Sequence, residues 1–565
     1  MLDPERRVYV GVVGWGLVAT VRPTTPPRRV REHRASLNGD AMRTPDRSAA
    51  LDHVVVVMFE NRSFDNLLGR LYEPGEVPAF EGVVGKDLTN PIPPWAQDGA
   101  ERGSIPYGVA RTMDTPNPDP GEEYQHVNTQ LFGLIDPPGN RGVLAEHMSP
   151  PFNLPADPLA TPTMDGFVAD YISAYAAELG VQPTFEQYAQ IMQGYSPEQM
   201  PVLSALARGF ATFDHWFAEV PSQTFTNRSF FHAATSSGLV VNAPYGNFPG
   251  LNVGETIFER LESAGLSWKV YVDPPAIAPF TALIHGARLQ HRFATHFVTT
   301  DEFYQDAARG DLPTYSFIEP NLLHGHNDMH PPMAALMPGL ALDPPSSLLG
   351  GEAFLARIYE AIRGSDSEAG STWWNTLLMV VFDEHGGTYD HVPPPLAPPP
   401  DPDASPGQLG FAFDRLGVRL PAIAVSPWID ERTVVNEVHH HTSVIRTLRD
   451  RWDLGPPLTA RDAHAPDLSP LLARDQPRPP QEWPEVRPQP VPAFDEALLP
   501  PDAPLSPLAK AFVGGAVTLA RGLDPTAPDI EGLERLDGAE ALSKLRETVG
   551  HLFPRLRPTD DQRAR

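Results

Sequence analysis

The 565-residue chain contains no cysteine. Disulfides, thiolate nucleophiles and zinc sites of the Cys type are therefore excluded. Cationic side chains are scarce, 43 Lys plus Arg against 71 Asp plus Glu, for a formal net charge of −28. A surface of that sign repels a nucleic-acid backbone, so no nucleic-acid partner is expected. An anionic small substrate stays open, because a metal ion and a few local cations can reverse the field inside one cleft. The apolar stretch at residues 8–21 (VYVGVVGWGLVATV) is shorter than the ~20 residues that a transmembrane helix needs, so no transmembrane span is expected. Following Arg6 and Arg7, it has the length of a signal-peptide apolar region, whereas Asp3, Glu5 and the lack of a small-x-small cleavage pattern speak against one. On balance an extracytoplasmic or secreted place is expected.

What is present reads as globular α/β protein. Hydrophobic residues make up 41% and charged residues 20%, with an unusual 66 prolines. Residues 1–50 are Arg-rich and Pro-punctuated, a tail; an ordered domain is expected over 51–475. In it, apolar runs suited to strands buried on both faces occur at 52–59 (DHVVVVMF), 268–272, 314–318, 376–382 (TLLMVVF) and 422–425. Helical periodicity appears at 352–363 and 442–452. The alternation predicts a central, mostly parallel sheet flanked by helices, with loop insertions. The Pro-rich stretch at 393–406 reads as a loop beside the site, and that at 476–507 as an extended linker. Residues 508–565 read as a small helical appendage, with helical periodicity at 508–523 and 538–552.

Functional groups cluster just after predicted strands, and in open α/β sheets ligands bind beyond the carboxyl ends of the strands. After the first strand come Glu60 and Asn61, whose oxygens suit a hard cation. Helix capping by Asn61 or Ser63 is the plainer alternative. After 376–382 come Asp383, Glu384, His385, Gly386 and Gly387. Adjacent carboxylates there repel unless a cation lies between them, although a structural acidic turn would look the same. The segment 220–228 (VPSQTFTNR) offers Thr224 as a hydroxyl nucleophile, with Asn227 and Arg228 as substrate-binding groups, or it is simply a polar loop. The loop with His324, His326, Asp328 and His330 suits metal or acid/base chemistry, or solvation. The run His439, His440 and His441 reads as a helix cap or an exposed patch.

In combination these segments are more specific. HVVVVMFENRSFDNLLG, DPGEEYQHVNTQLFG, VPSQTFTNRSFFHAATSSG, FIEP, NDMHPP and VVFDEHGGTYDHVPPP occur in this order. Together they resemble the bacterial phosphoesterase family of acid phosphatases and non-specific phospholipases C, from about residue 51 to 472. The resemblance implies an alkaline-phosphatase-like α/β fold and a hydroxyl nucleophile on one divalent cation. Glu60, Asn61, Asp383 and Glu384 match the metal ligands, and Thr224 matches the nucleophile, itself in contact with the metal. Asp328, His330 and His385 match further polar positions of the site. Two positions depart from the pattern. Thr226 stands where the family has proline, and Glu122 stands where some relatives have histidine, a place that His126 would fill if the segment were helical.

The implied reaction is hydrolysis of a phosphoric ester, monoester or phospholipid, through a phosphothreonine, with His385, His330 or His126 protonating the leaving oxygen. An all-oxygen shell favours Mg²⁺, Ca²⁺ or Mn²⁺, and Zn²⁺ also accepts oxygen. A lipid enzyme would use the Pro-rich loops and C-terminal helices for transient membrane contact. A sulfatase on the same fold lacks support, since there is neither cysteine nor a Ser-x-Pro-x-Arg sequence. The competing class is a non-catalytic binding protein on a retired hydrolase fold, against which stand the intact matches at all five metal and nucleophile positions.

Overall fold

The computed structural model describes residues 45–244, 246–274, 278–322, 325–332, 335–337, 340–341, 344–493, 507–523 and 550–556. The apolar stretch at 8–21, His324, the end of the expected linker and most of the expected helix at 538–552 lie outside the described residues.

One eight-stranded sheet organises the chain. Its strands are β1 (His53–Phe59), β2 (Ala211–Phe213), β3 (Trp268–Val272), β4 (Phe297–Thr299), β5 (Tyr315–Glu319), β6 (Thr376–Phe382), β7 (Ala422–Val425) and β8 (Thr433–Val435). They lie in the order β8-β2-β7-β6-β1-β5-β3-β4. Only β7 runs against its neighbours, so the sheet is mostly parallel, as the sequence predicts. All five predicted strands form. The three that periodicity misses, β2, β4 and β8, have three residues each and lie towards the two edges of the sheet. Such lengths are too short for a period to emerge.

The register of the central pair positions the site. Strands β1 and β6 pair in parallel from His53 opposite Thr376 to Phe59 opposite Phe382. Both are buried, which favours their apolar, β-branched sequences. The residues that follow, Glu60 and Asp383, therefore leave the sheet side by side, and Asp383 N–H donates to Phe59 O at 3.1 Å.

The helices that carry functional groups are α1 (Phe64–Leu67), α2 (Tyr124–Phe132), α3 (Phe167–Leu179), α4 (Thr224–Ala233), α5 (Ser347–Arg363), α6 (Thr442–Trp452) and α7 (Pro507–Leu523). Helix α6 occupies the predicted span. Helix α5 starts five residues before its predicted start, capped by the Ser346 side chain on Leu349 N–H. Two glycines hide that first turn, and one is needed: a Cβ on Gly351 would lie 2.4 Å from Met329 Cγ.

Towards the C-terminus, the helix expected at 508–523 forms as α7. The described part of the Pro-rich stretch, 476–493, does not hang free as a linker but straps across the domain. Trp483 is buried against Phe210 and Tyr359, and Tyr359 O–H donates to Pro484 O at 2.8 Å. A tryptophan amid prolines gains more by burying its ring than the chain loses in stiffening, since the prolines have already restricted it. Helix α7 likewise docks on the domain, burying Ala516, Val517, Leu519 and Ala520 in the main core.

Candidate active site

Beyond the ends of β1 and β6 the chain builds a pocket of buried polar groups. Asn61 takes a left-handed backbone, φ 53°, which asparagine tolerates better than most residues. Its N–H donates to Asp383 Oδ1 at 3.1 Å, and Glu384 N–H donates to the same oxygen at 2.8 Å. Gly386 approaches so closely that a Cβ on it would lie 2.3 Å from Asn61 O. Glycine is therefore required there, and a Cβ on Gly387 would likewise lie 2.5 Å from Gly121 O, which explains the glycine pair in the sequence.

Thr224 is the first residue of the ten-residue helix α4. Its hydroxyl thus stands at the positive end of a helix dipole, an arrangement that favours anions. The preceding loop is pinned from several sides. Asn227 accepts from Val220 N–H and donates to Val220 O, Ser222 O and Gln223 O, while Ser222 O–H donates to Val240 O at 2.6 Å. The expected substrate-binding role of Asn227 is corrected accordingly. Its amide is consumed in shaping the loop that presents Thr224. Thr226 falls in the first turn, where an N–H has no intrahelical acceptor, so threonine and the family's proline are both accommodated.

Arg228, on the same helix, bridges to the other strands: Nη2 pairs with Glu60 Oε1, and Nε lies 3.2 Å from Asp383 Oδ2. It is the cation that ion-pairs there, amid a crowd of acids. Burial pushes Glu60 well above the usual carboxylate range against the pull of Arg228. Burial and then Asp383 do the same to Glu384, and burial and then Glu384 to Glu122. The fit to a cation is visible in individual atoms. Glu60 Oε2, Asn61 Oδ1, Thr224 Oγ1, Asp328 Oδ2 and Glu384 Oε1 are all buried with no hydrogen-bond partner among the described residues. Buried oxygens nearly always have partners, and oxygens of this kind are what a hard cation takes.

The histidines divide in roles. His330 Nδ1–H donates to Pro331 O at 2.7 Å, so Nε2 carries the lone pair and accepts from Asn61 Nδ2 at 2.7 Å. That contact, with the one from Asn61 Nδ2 to Glu122 Oε2, turns Asn61 Oδ1 the other way. Burial holds His330 down to about 4. His385 Nε2–H donates to Gln130 Oε1 at 2.7 Å, and burial holds this ring down to about 3. In this geometry the N–H of each ring is engaged, that of His330 by Pro331 O and that of His385 by Gln130 Oε1. Asp328 Oδ1 is engaged by His326 Nδ1 at 2.7 Å and His330 N–H at 2.9 Å, and Asp328 O accepts from Glu60 N–H at 2.9 Å.

Segment 124–132 is helical as the His126 hypothesis required, but His126 does not take the place of Glu122. Its Nδ1 binds Asp170 Oδ1 at 2.7 Å on α3; burial opposes its charge, but Asp170 outweighs that and raises it to about 9. Gln130 then donates to Asp170 Oδ2 at 2.7 Å and accepts from His385, so His126 acts at a distance, through a chain of side chains. Glu122 itself sits at the site, touching Asn61 and, at 3.4 Å, Gln223 Nε2.

Sequence reasoning missed a buried support behind the pocket. His439, His440 and His441 are all buried rather than capping or exposed. His441 Nε2–H donates to Asp383 O at 2.7 Å, and Trp216 Nε1–H fixes its other nitrogen at 3.3 Å. His440 Nδ1 binds Glu219 Oε1 at 2.7 Å, and Arg461 binds Glu219 Oε2 at 2.7 Å. An unbroken histidine run just before a helix was the available signal.

The sequence matches the family model described as the Phosphoesterase family over residues 51–455. The chain belongs to the phosphoesterase family. This phosphoesterase is 33% identical over 453 residues to non-specific phospholipase C1 of Arabidopsis thaliana, a match covering 77% of this chain and 74% of that relative. It is 27% identical over 454 residues to phospholipase C B of Mycobacterium tuberculosis, covering 75% and 78% respectively. Among solved structures, a protein of the alkaline phosphatase superfamily from Vibrio parahaemolyticus is similar at 12% identity and a TM-score of 0.28, over 50% of this chain and 64% of that one. That likeness is too remote to bear on the site. As a phosphoesterase the chain is a hydrolase acting on ester bonds of phosphoric acid. No helix among the described residues is long and apolar enough to cross a membrane.

Proposed function

We propose that this phosphoesterase is a metal-dependent phospholipase of the C type, with Thr224 as its nucleophile. The observation that carries this is the group of buried oxygens on Glu60, Asn61, Thr224 and Glu384 that no described residue satisfies. The names of its relatives supply the lipid substrate class. Glu60, Asn61, Asp383 and Glu384 would hold one divalent cation, Mg²⁺, Ca²⁺ or Mn²⁺ by the hardness of the oxygen set, with Zn²⁺ also accommodated. When bound, the cation supplies Lewis acidity towards the Thr224 hydroxyl and the phosphoryl oxygens.

Thr224 Oγ forms a bond to phosphorus as the bond between phosphorus and the glycerol oxygen breaks. The hydroxyl proton lost by Thr224 is balanced by the one that the glycerol oxygen gains. Water then cleaves the threonine ester and restores Thr224, releasing the phosphorylated headgroup. Arg228, whose Nη1 has no partner among the described residues, offsets charge on the phosphoryl oxygens. His330 keeps the Asn61 amide oriented, and Asn227 keeps Thr224 in place.

The test strips the protein with a chelator and restores Mg²⁺, Ca²⁺, Mn²⁺ or Zn²⁺ in turn. Diacylglycerol release from phosphatidylcholine vesicles and nitrophenol release from p-nitrophenyl phosphate are then followed. Cation-dependent diacylglycerol release that Thr224→Ala abolishes is expected. Undiminished release by the stripped protein, or wild-type rates in Thr224→Ala, would overturn the reading; turnover of the monoester alone would replace the lipid with a monoester substrate.

A further inference from the structure

Two asparagines brace the loop that presents Thr224, and they differ in what they leave unspent. Asn227 spends its Nδ2 on the carbonyls of Val220, Ser222 and Gln223. Asn242, only 1% exposed, binds the residues on either side of the nucleophile. Its Oδ1 accepts from Phe225 N–H at 3.1 Å, and its own N–H donates to Gln223 Oε1 at 3.0 Å. Only an acceptor can meet the Phe225 N–H, so that bond fixes which end of the Asn242 amide is oxygen. The other end, Nδ2, is buried and has no hydrogen-bond partner among the described residues. A buried donor without an acceptor is costly, and the few in a folded protein call for an explanation.

The segment that carries Asn242 is held from several sides. Gln408 Oε1 accepts from Val240 N–H at 2.9 Å and from Val241 N–H at 3.1 Å, and Gln408 Nε2 donates to Ala243 O at 3.0 Å. The Ser222 hydroxyl takes Val240 O. Asn242 Nδ2 is thus a donor of fixed position. From Gln223 the contacts run on into the pocket: its Nε2 lies 3.4 Å from Glu122 Oε1, and Glu122 Oε2 meets Asn61 Nδ2. Asn242 also meets the amino end of the ten-residue helix α4, where the dipole favours an anion. One turn along the same helix face from Thr224 stands Arg228, whose Nη1 is likewise buried and unpartnered among the described residues. Two unspent donors, one on each of these elements, suit an anion with several acceptor oxygens, as a phosphoryl group is.

We propose that Asn242 is a substrate-binding residue, its Nδ2 donating to a phosphoryl oxygen of the ester held at Thr224. This rests on the reading of Thr224 as the nucleophile. While Oδ1 keeps the first turn of α4 in place, Nδ2 meets the charge that grows on the phosphoryl oxygens during attack. The assignment serves a phospholipid and a phosphomonoester alike, because both carry such oxygens.

The probe is inorganic phosphate. Full-length protein made with ¹⁵N-labelled asparagine and loaded with Mg²⁺ or Zn²⁺ is titrated with it and followed by NMR, the Asn242 side-chain amide being assigned by its absence from Asn242→Asp. The amide protons are expected to move downfield as phosphate binds. Asn242→Asp keeps an oxygen for the Phe225 N–H, so it should melt close to wild type while losing about 10²–10³-fold in kcat, the cost of removing one preorganised donor. An Asn242 signal that stays still while phosphate inhibits competitively overturns the proposal, since the amide is then a helix cap alone, and it leaves the reading of Thr224 standing. Wild-type rates in Thr224→Ala overturn that reading and the proposal with it, as does a wild type that phosphate does not inhibit. If Asn242→Asp fails to fold, Asn242→Ser supplies the assignment and the wild-type titration decides.

Discussion

Replacing Gly386 with alanine separates the close approach of the two ligand segments from every other property of the site. A Cβ at this position would meet Asn61 O at 2.3 Å and Asn61 Cβ at 2.5 Å, whereas contacts under 3.0 Å are essentially never tolerated. The Asn61 segment must therefore retreat by at least about 0.7 Å. It cannot do so freely, because Asn61 N–H is bonded to Asp383 Oδ1 and Glu60 N–H to Asp328 O. Misplacing a reacting constellation by roughly 1 Å costs about 10²-fold in rate, and a comparable fall in kcat is expected for Gly386→Ala. Gly386 also has φ 56°, so alanine there adds roughly 1–2 kcal/mol of backbone cost. Gly75→Ala supplies the control, since Gly75 has φ 84° and nothing within 4 Å of the added carbon. It should lose similar stability and no activity. Thermal unfolding and initial rates on the two variants make the comparison. Full kcat in Gly386→Ala with wild-type metal affinity would refute the claim that Asn61 must lie where it does.

Other expectations follow from the buried ion pairs and histidines. Glu219→Gln leaves Arg461 buried without its carboxylate, a loss of about 3–5 kcal/mol in denaturant unfolding at neutral pH. Although burial opposes its charge, His440 and Arg461 hold Glu219 far below the usual carboxylate range. Its contribution is therefore present above pH roughly 4.3 and lost on acidification, and the variant should show a flatter acid limb. Burial holds His285 down to about 3 and pushes His232 down as well, so the unfolded chain takes up protons first and stability falls as the pH drops below roughly 6.5. His232 lies between Phe258 and Phe317 with neither ring nitrogen partnered among the described residues. His232→Phe should accordingly raise the melting temperature at pH 5 relative to wild type more than at pH 8. Trp483→Ala should cost about 3–5 kcal/mol if residues 476–493 are a strap, and almost nothing if they are a linker.

Much of this architecture was legible because the strands that matter are long, apolar and buried on both faces. HVVVVMF and TLLMVVF announce themselves, and a parallel register then brings Glu60 and Asp383 together without further information. What stayed hidden depends on long-range contact. Strands β2, β4 and β8 exist because neighbours supply their partners, not because three residues carry a pattern. Trp483 reads as linker until Phe210 and Tyr359 are seen beneath it. The roles of the histidines could not be read from spacing at all. His330, His385 and His126 differ by which oxygen or nitrogen lies opposite each ring atom, and those partners, Pro331, Gln130 and Asp170, are set by tertiary packing. Asn227 shows the same limit: its position three residues after Thr224 suggested substrate, while its amide turned inward to shape the loop.

The central claim is that Thr224 attacks phosphorus with the help of a cation held by Glu60, Asn61, Asp383 and Glu384. Acid-quenching the Mn²⁺-loaded protein during turnover of p-nitrophenyl phosphate and mapping the phosphoryl adduct by peptide mass spectrometry tests it most directly. The adduct should lie on Thr224, vanish in the chelator-stripped protein and be absent from Thr224→Ala. An adduct on another residue, or undiminished turnover by Thr224→Ala, would contradict the account.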